Sequence, residues 1–203
     1  AFGSQNGQDH SGWINDGWNL YTGEQAEVNQ RNTVWLWGEI AKRYNRSVGV
    51  RRDLAPAIAM YDILNEPGPK AGLTNKLQWD LYHKIYQEIR KYDPDHIICM
   101  ESCWGPNDLP RTTDHNYNWK NVIYQYHQYV WDHVNNLEGQ KAAYRNIVNQ
   151  VRSANHGVPT YIGEFTAFGI EEAWAYACST YNAAGWHWTS WTYKVKSSMG
   201  SWG

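Results

Sequence analysis

Two glutamates stand where a fold could aim them at one another. Glu66 closes the run PAIAMYDILNEP (56–67), and Glu164 closes VPTYIGEF (158–165). Each follows a nearly continuous apolar stretch, so each reads as a carboxylate delivered to the tip of a buried strand. Two Asp or Glu side chains facing each other across a cleft are the minimum set for hydrolysing a glycosidic bond. At about 5–5.5 Å one attacks as nucleophile and the other serves first as acid, then as base, with retention; at about 6.5–9.5 Å a water fits between them and the product inverts. Proximity also sets protonation, because two neighbouring carboxylates do not readily ionise together. The alternative is a pair of glutamates in unrelated surface salt bridges.

The elements that must position them follow from hydrophobic periodicity. Helical spacing is visible over residues 33–44 (Val34, Trp37, Ala41, Tyr44), 76–92 (Leu77, Leu81, Ile85, Ile89), 139–155 (Tyr144, Ile147, Val148, Val151) and 171–184 (Trp174, Ala177, Cys178, Tyr181). Thr74 or Asn75 is placed to cap the second helix, Pro94 to end it, and Gly185 to close the fourth. Between them lie short apolar runs at 56–67, 96–104, 121–129, 158–165 and 184–193. Their continuous apolar character predicts strands buried on both faces of a parallel sheet with helices outside. The link over 105–120 is polar and shows no clear helix.

Polar side chains gather after the apolar runs: Asn65 and Glu66, Glu101 and Ser102, His127 and Tyr129, Glu164, Trp191. In a (β/α)8 TIM barrel that C-terminal rim is where sites are built. An open doubly wound sheet also binds ligands there, but would usually carry a Gly-rich phosphate loop, and none follows a strand. We therefore expect an α/β (β/α)8 barrel, of which the 203 residues hold roughly strands 4–8 as one partial catalytic domain over 1–203. The missing strands predict poor stability for these residues alone, through open sheet edges and exposed core.

Composition narrows the partners. The formal charge is −2, from 18 basic and 20 acidic residues, so nucleic-acid binding has no electrostatic support. No apolar run approaches the ~20 residues of a membrane span. Thirteen Trp and 15 Tyr against 3 Phe favour flat surfaces with a polar edge, which suit sugar rings as well as a Trp-rich core. Three cysteines give no disulfide framework; Cys99 and Cys178 read as buried thiols and Cys103 as partly exposed, with no Cys/His spacing for zinc. His83, His96 and His156 read as structural, whereas His10, His115, His133 and His187 have no spacing that assigns them.

Taken in order, LNEP, YQYHQY, YIGEF and WHWTSWTYK closely resemble glycoside hydrolase family 5, the cellulase-type retaining β-glycosidases, and the opening GSQNGQDHSG resembles that family's loop after its third strand. The resemblance implies Glu66 as acid/base and Glu164 as nucleophile. It implies Asn65 as the partner of the sugar 2-hydroxyl, His127 and Tyr129 as the sixth-strand pair, with Tyr129 bonded to the nucleophile, and Trp191 as the stacking platform. Trp104 and Trp131 are candidates for neighbouring subsites. It further implies an Arg and a His on strands that would precede Ala1. The expected activity is retaining hydrolysis of β-glucan, first as an endo-β-1,4-glucanase and second as an exo-β-1,3-glucanase, with no metal and no organic cofactor. The expected partner is a polysaccharide or oligosaccharide, with no nucleic acid and no membrane. The complete barrel is expected to be a monomer, secreted because its substrate is a polymer. A rival from another class is a carbohydrate-binding barrel fragment without catalysis. A metal-dependent barrel enzyme is a third, separable by its sensitivity to a chelator.

Overall fold

A computed structural model describes residues 20–68, 73–102 and 105–192. Trp104, Cys103, His10 and the opening GSQNGQDHSG lie outside the described residues. Five strands pair in parallel, each beside the next in chain order: β1 (Met60–Asp62), β2 (Ile97–Glu101), β3 (Val122–Gln128), β4 (Thr160–Phe165) and β5 (His187–Trp188). The helices are α1 (Ala26–Tyr44), α2 (Lys76–Tyr92), α3 (Leu137–Ala154) and α4 (Glu171–Ala183). Strand and helix alternate along one parallel sheet except between β2 and β3, where the described link holds only 3₁₀ turns, and the result is part of a (β/α)8 barrel.

The core lies between sheet and helices. Tyr61, Ile98, Met100, Val122, Tyr124, Tyr126, Ile162 and Phe165 point outward from the strands to meet Leu81, Ile85 and Ile89 of α2 and Tyr144, Ala177 and Tyr181 of α3 and α4. The inner positions differ from the expectation of apolar character on both faces. Cys99 and Ile123 keep it, but Asp62, Glu101, Gln125 and His127 do not. Alternation is masked in the sequence because inner Cys99 and Ile123 sit among outer apolar residues.

The helices start and stop for local reasons. Helix α1 begins earlier than its periodicity suggests, because its first turns are mostly polar, with Glu27, Arg31 and Asn32 exposed. It then turns Trp37 inward, where Nε1–H donates to the Ile63 carbonyl at 3.0 Å. Thr74 Oγ1 accepts from the Lys76 N–H at 3.3 Å, while the Asn75 side chain donates to Asp108 rather than capping α2. Asn136 caps α3 by accepting the Gly139 N–H at 3.0 Å. Gly185 follows α4 with φ +76°, a conformation glycine adopts at little cost. Cys178 on α4 is half-buried rather than buried. Two 3₁₀ turns, Pro106–Asp108 and Asp114–Asn116, are the only helical pieces described in the 105–120 link.

Helix α2 also fixes the end of β2. Gln78 Nε2 and Tyr82 Oη donate to the Glu101 carbonyl at 2.8 and 2.7 Å, and the Glu101 N–H donates to Tyr82 Oη at 3.1 Å. Both side chains are fully buried. Tyr82→Phe leaves the buried Glu101 N–H without this partner and its carbonyl with Gln78 alone, and should cost about 1–3 kcal/mol, read as a lower urea midpoint at unchanged m-value.

Candidate active site

The rim cluster is built from four strand ends. Glu66 lies four residues past β1, with its backbone in the left-handed region at φ +44°. For a residue with a Cβ that conformation costs about 1–2 kcal/mol, so surrounding contacts must hold it. One is explicit: the Glu66 N–H donates to Glu101 Oε2 at 2.9 Å. The preceding Asn65 is exposed at the rim.

A bulge re-aims the other glutamate. In the β3–β4 pairing Tyr126 faces Ile162, but His127 faces Glu164, so the extra residue is Gly163. A Cβ on Gly163 would lie 2.4 Å from Gln125 Cδ and 2.5 Å from its Oε1. Glycine here therefore lets the Gln125 side chain cross the inner face. The bulge lets Ile162 and Phe165 both stay buried in the core while Glu164 turns to the rim.

His127 joins the parts. Its Nδ1 lies 3.0 Å from Glu66 Oε1, 3.2 Å from Glu101 Oε1 and 3.5 Å from Glu164 Oε2, and its side chain is 3% exposed. Glu66, His127 and Glu164 each offer an atom within 4.8 Å of the other two. A Glu66 and a Glu164 oxygen therefore approach to within 4.8 Å of each other. Tyr129 Oη donates to Glu164 Oε2 at 2.6 Å. Burial first, then this bond, pushes the Tyr129 hydroxyl far up, which keeps it a donor.

Aromatic faces flank the carboxylates. Trp131 is half exposed and stacks on Tyr129, with centroids 5.6 Å apart at 22°. Phe168 packs on the Trp131 ring at 4.8 Å. Trp191 is half exposed beyond β5, tied by its N–H to the Phe165 carbonyl at 3.1 Å. The structure thus brings together Glu66, Glu164, His127, Tyr129 and Trp131, and places Asn65 and Trp191 at the same strand ends. Three histidines are structural, as expected. His83 Nδ1 accepts from Trp119 Nε1 at 3.1 Å, and His96 pairs with Asp93 Oδ2 at 2.5 Å. His156 lies 3.0 Å from the Leu109 carbonyl through Nε2.

Sequence reasoning placed Glu101 at a strand end without a role and passed over Gln125, Gly163 and Phe168. The Gly before Glu164 was the available signal, since an isolated glycine in a strand marks a bulge or a close approach.

Parallel strands with helices outside and a carboxylate pair at the C-terminal rim define a (β/α)-barrel enzyme scaffold. The chain belongs to the cellulase family, glycosyl hydrolase family 5, whose model matches residues 9–197. Over 100 residues it is 31% identical to a β-xylosidase of Phanerodontia chrysosporium, a stretch covering 49% of this chain and 19% of that protein. Its fold is similar to endo-glycoceramidase II from Rhodococcus sp., with TM-score 0.63 and 19% identity over 90% of this chain and 43% of the other. It is also similar to the catalytic domain of a Thermobifida fusca endoglucanase, with TM-score 0.58 and 20% identity over 84% of this chain and 53% of the other. The chain thus spans about a fifth of the curated relative's length and under half of the glycoceramidase's.

Gly163→Ala forces the Gln125 side chain aside and should destabilise by about 1–3 kcal/mol, seen as a lower Tm. Adding Gln125→Ala removes the clash, so the double variant should lose less than the two single losses combined.

Proposed function

We propose that Glu164 and Glu66 are the nucleophile and the acid/base of a retaining β-glycosidase that hydrolyses β-1,4-linked glucan. The observation that carries this reading is the approach of a Glu66 and a Glu164 oxygen to within 4.8 Å, bridged by His127. Retaining enzymes hold their carboxyls at about 5–5.5 Å, and inverting ones at about 6.5–9.5 Å.

Glu164 attacks the anomeric carbon as the bond to the leaving oxygen breaks, and Glu66 gives that oxygen its proton. Water then attacks the glycosyl-enzyme bond while Glu66 takes its proton, which frees Glu164 and restores the acid. Tyr129 holds Glu164 by one oxygen, fixing the angle of the other. His127 keeps Glu66 near the nucleophile. Asn65 is assigned to the sugar 2-hydroxyl, a bond that strengthens in an oxocarbenium-like transition state. The exposed rings of Trp191 and Trp131 are assigned to stacking sugar faces. A polymer substrate makes secretion the matching location.

The β-xylosidase relative favours a second reading, cleavage of β-xylosides by the same two glutamates. An exo-β-1,3-glucanase is a third, carried by the GSQNG and SG resemblance. Assay of the full-length protein on carboxymethyl-cellulose, laminarin and aryl β-xyloside separates them: reducing ends from the first polymer support the leading reading, and release from only one of the others replaces it.

On the preferred substrate Glu164→Gln should lower kcat at least ~10⁴-fold. Glu66→Gln should lose ~10²–10⁴-fold on poor leaving groups and much less in forming the intermediate from a dinitrophenyl glycoside. Tyr129→Phe should lower kcat about 10- to 100-fold, with KM nearly unchanged. Proton NMR of fresh product should show the β-anomer first.

A further inference from the structure

A third carboxyl stands beside the pair and has no part in the two-glutamate reading. Glu101 ends β2 and is 0% exposed. Its Oε2 accepts the Glu66 N–H at 2.9 Å and faces Gln125 Nε2 at 3.3 Å. Its Oε1 is buried and, among the described residues, has no hydrogen-bond partner. His127 Nδ1 lies 3.2 Å from it, unaligned for a hydrogen bond, and that nitrogen is already bonded to Glu66 Oε1 at 3.0 Å.

Count the protons available. Nδ1 carries one at most, and oxygens of Glu66, Glu101 and Glu164 converge on it. From β1 the group facing Glu101 is Asp62, from the loop after it Glu66, from β3 His127 and Gln125, and from β4 Glu164. From α2, Tyr82 and Gln78 bind only its backbone. His127 is the only one of these that can be cationic, against three other carboxyls. An ionised Glu101 would leave a buried oxygen with no donor, at the cost of an unpaired buried charge. A protonated one presents a donor to a neighbourhood of acceptors.

Resting on the reading of Glu66 as acid/base, we propose that Glu101 is a positioning residue that keeps its own proton and holds Glu66 in its left-handed conformation by accepting its N–H. Kept neutral, it adds no third negative charge beside the proton donor and the nucleophile. Burial pushes its carboxyl well above the usual range; the Glu66 N–H opposes this, and Asp62, Glu66 and Glu164 add to it. Asp62 is itself pushed up to about 6, mainly because the surrounding protein strips its hydration although its residue still reaches solvent.

The test uses the full-length protein with Glu101→Gln and Glu101→Ala. Gln keeps an acceptor for the Glu66 N–H and a donor in place of the carboxyl O–H; Ala keeps neither. Glu101→Ala should lower kcat about 10- to 100-fold with KM within about twofold, and the loss should be larger for poor leaving groups than for a dinitrophenyl glycoside. Glu101→Gln should restore most of that loss, with both limbs of the pH–rate profile unmoved. A second readout needs no activity. A carboxyl whose folded pKa is raised gives its full stability below the unfolded pKa and loses it as pH rises through the folded one. The Tm of Glu101→Gln relative to wild type should therefore climb between pH 4 and 8, by about 3 °C or more. A Tm difference that falls over that range means an ionised, ion-paired Glu101 and overturns the proposal. So does a Gln variant as slow as Ala, an Ala variant as fast as wild type, or a pH–rate limb displaced by a unit in Glu101→Gln. If the wild type cleaves no β-glycoside, the functional reading fails, and the Tm series alone decides the protonation of Glu101. Should Glu101→Ala not fold, Glu101→Gln and its Tm series decide.

Discussion

The site depends on one nitrogen. His127 Nδ1 has oxygens of three carboxyls within 3.5 Å, and it can offer them a single proton. Among the described residues, packing three negative charges around that one proton is unfavourable. Unequal sharing of protons among chemically identical groups is what the proposal for Glu101 adds to this geometry. In the proposed mechanism Glu164 is the nucleophile, held by the Tyr129 hydroxyl. Glu66 exchanges a proton with the reaction, and Glu101 is buried most deeply and keeps its own.

Much of the surrounding fold can be read as what that arrangement requires. Parallel strands bring side chains from separate strand ends to one rim. The inner face then needs a bulge at Gly163 to turn Glu164 level with His127. It needs the missing Cβ of the same residue to let Gln125 reach Glu101. Helix α2 locks the end of β2 through Tyr82 and Gln78, so Glu101 is anchored by backbone and side chain together. Glu66 can occupy a left-handed conformation because its N–H has that anchored acceptor.

Most of the architecture was legible because it follows from apolar patterning. The outward faces of the strands and the inward stripes of α2, α3 and α4 are what the periodicity of Leu81, Ile85, Tyr144 and Tyr181 indicates. The two glutamates were legible because each interrupts an apolar run at its end. The inner face was less so. Asp62 and Gln125 alternate with apolar residues over stretches too short to reveal a period of two. Glu101 looked like one polar strand end among several, because sequence does not show which carboxyl meets solvent. The start of α1 was hidden because its first turns are mostly polar. The roles of Asn65 and Trp191 rest on motif and position, since both are exposed and touch little that would mark them.

The most direct test of the central claim is to trap the covalent intermediate. A 2-deoxy-2-fluoro-β-glycoside with a dinitrophenyl leaving group, of the sugar the full-length protein prefers, would be incubated with it and the digest read by mass spectrometry. The account predicts one equivalent of sugar bound as an ester on the peptide containing Glu164, with activity recovering as it turns over. A label on Glu66 or Glu101, or hydrolysis of the unmodified substrate with inversion and no label, would contradict it.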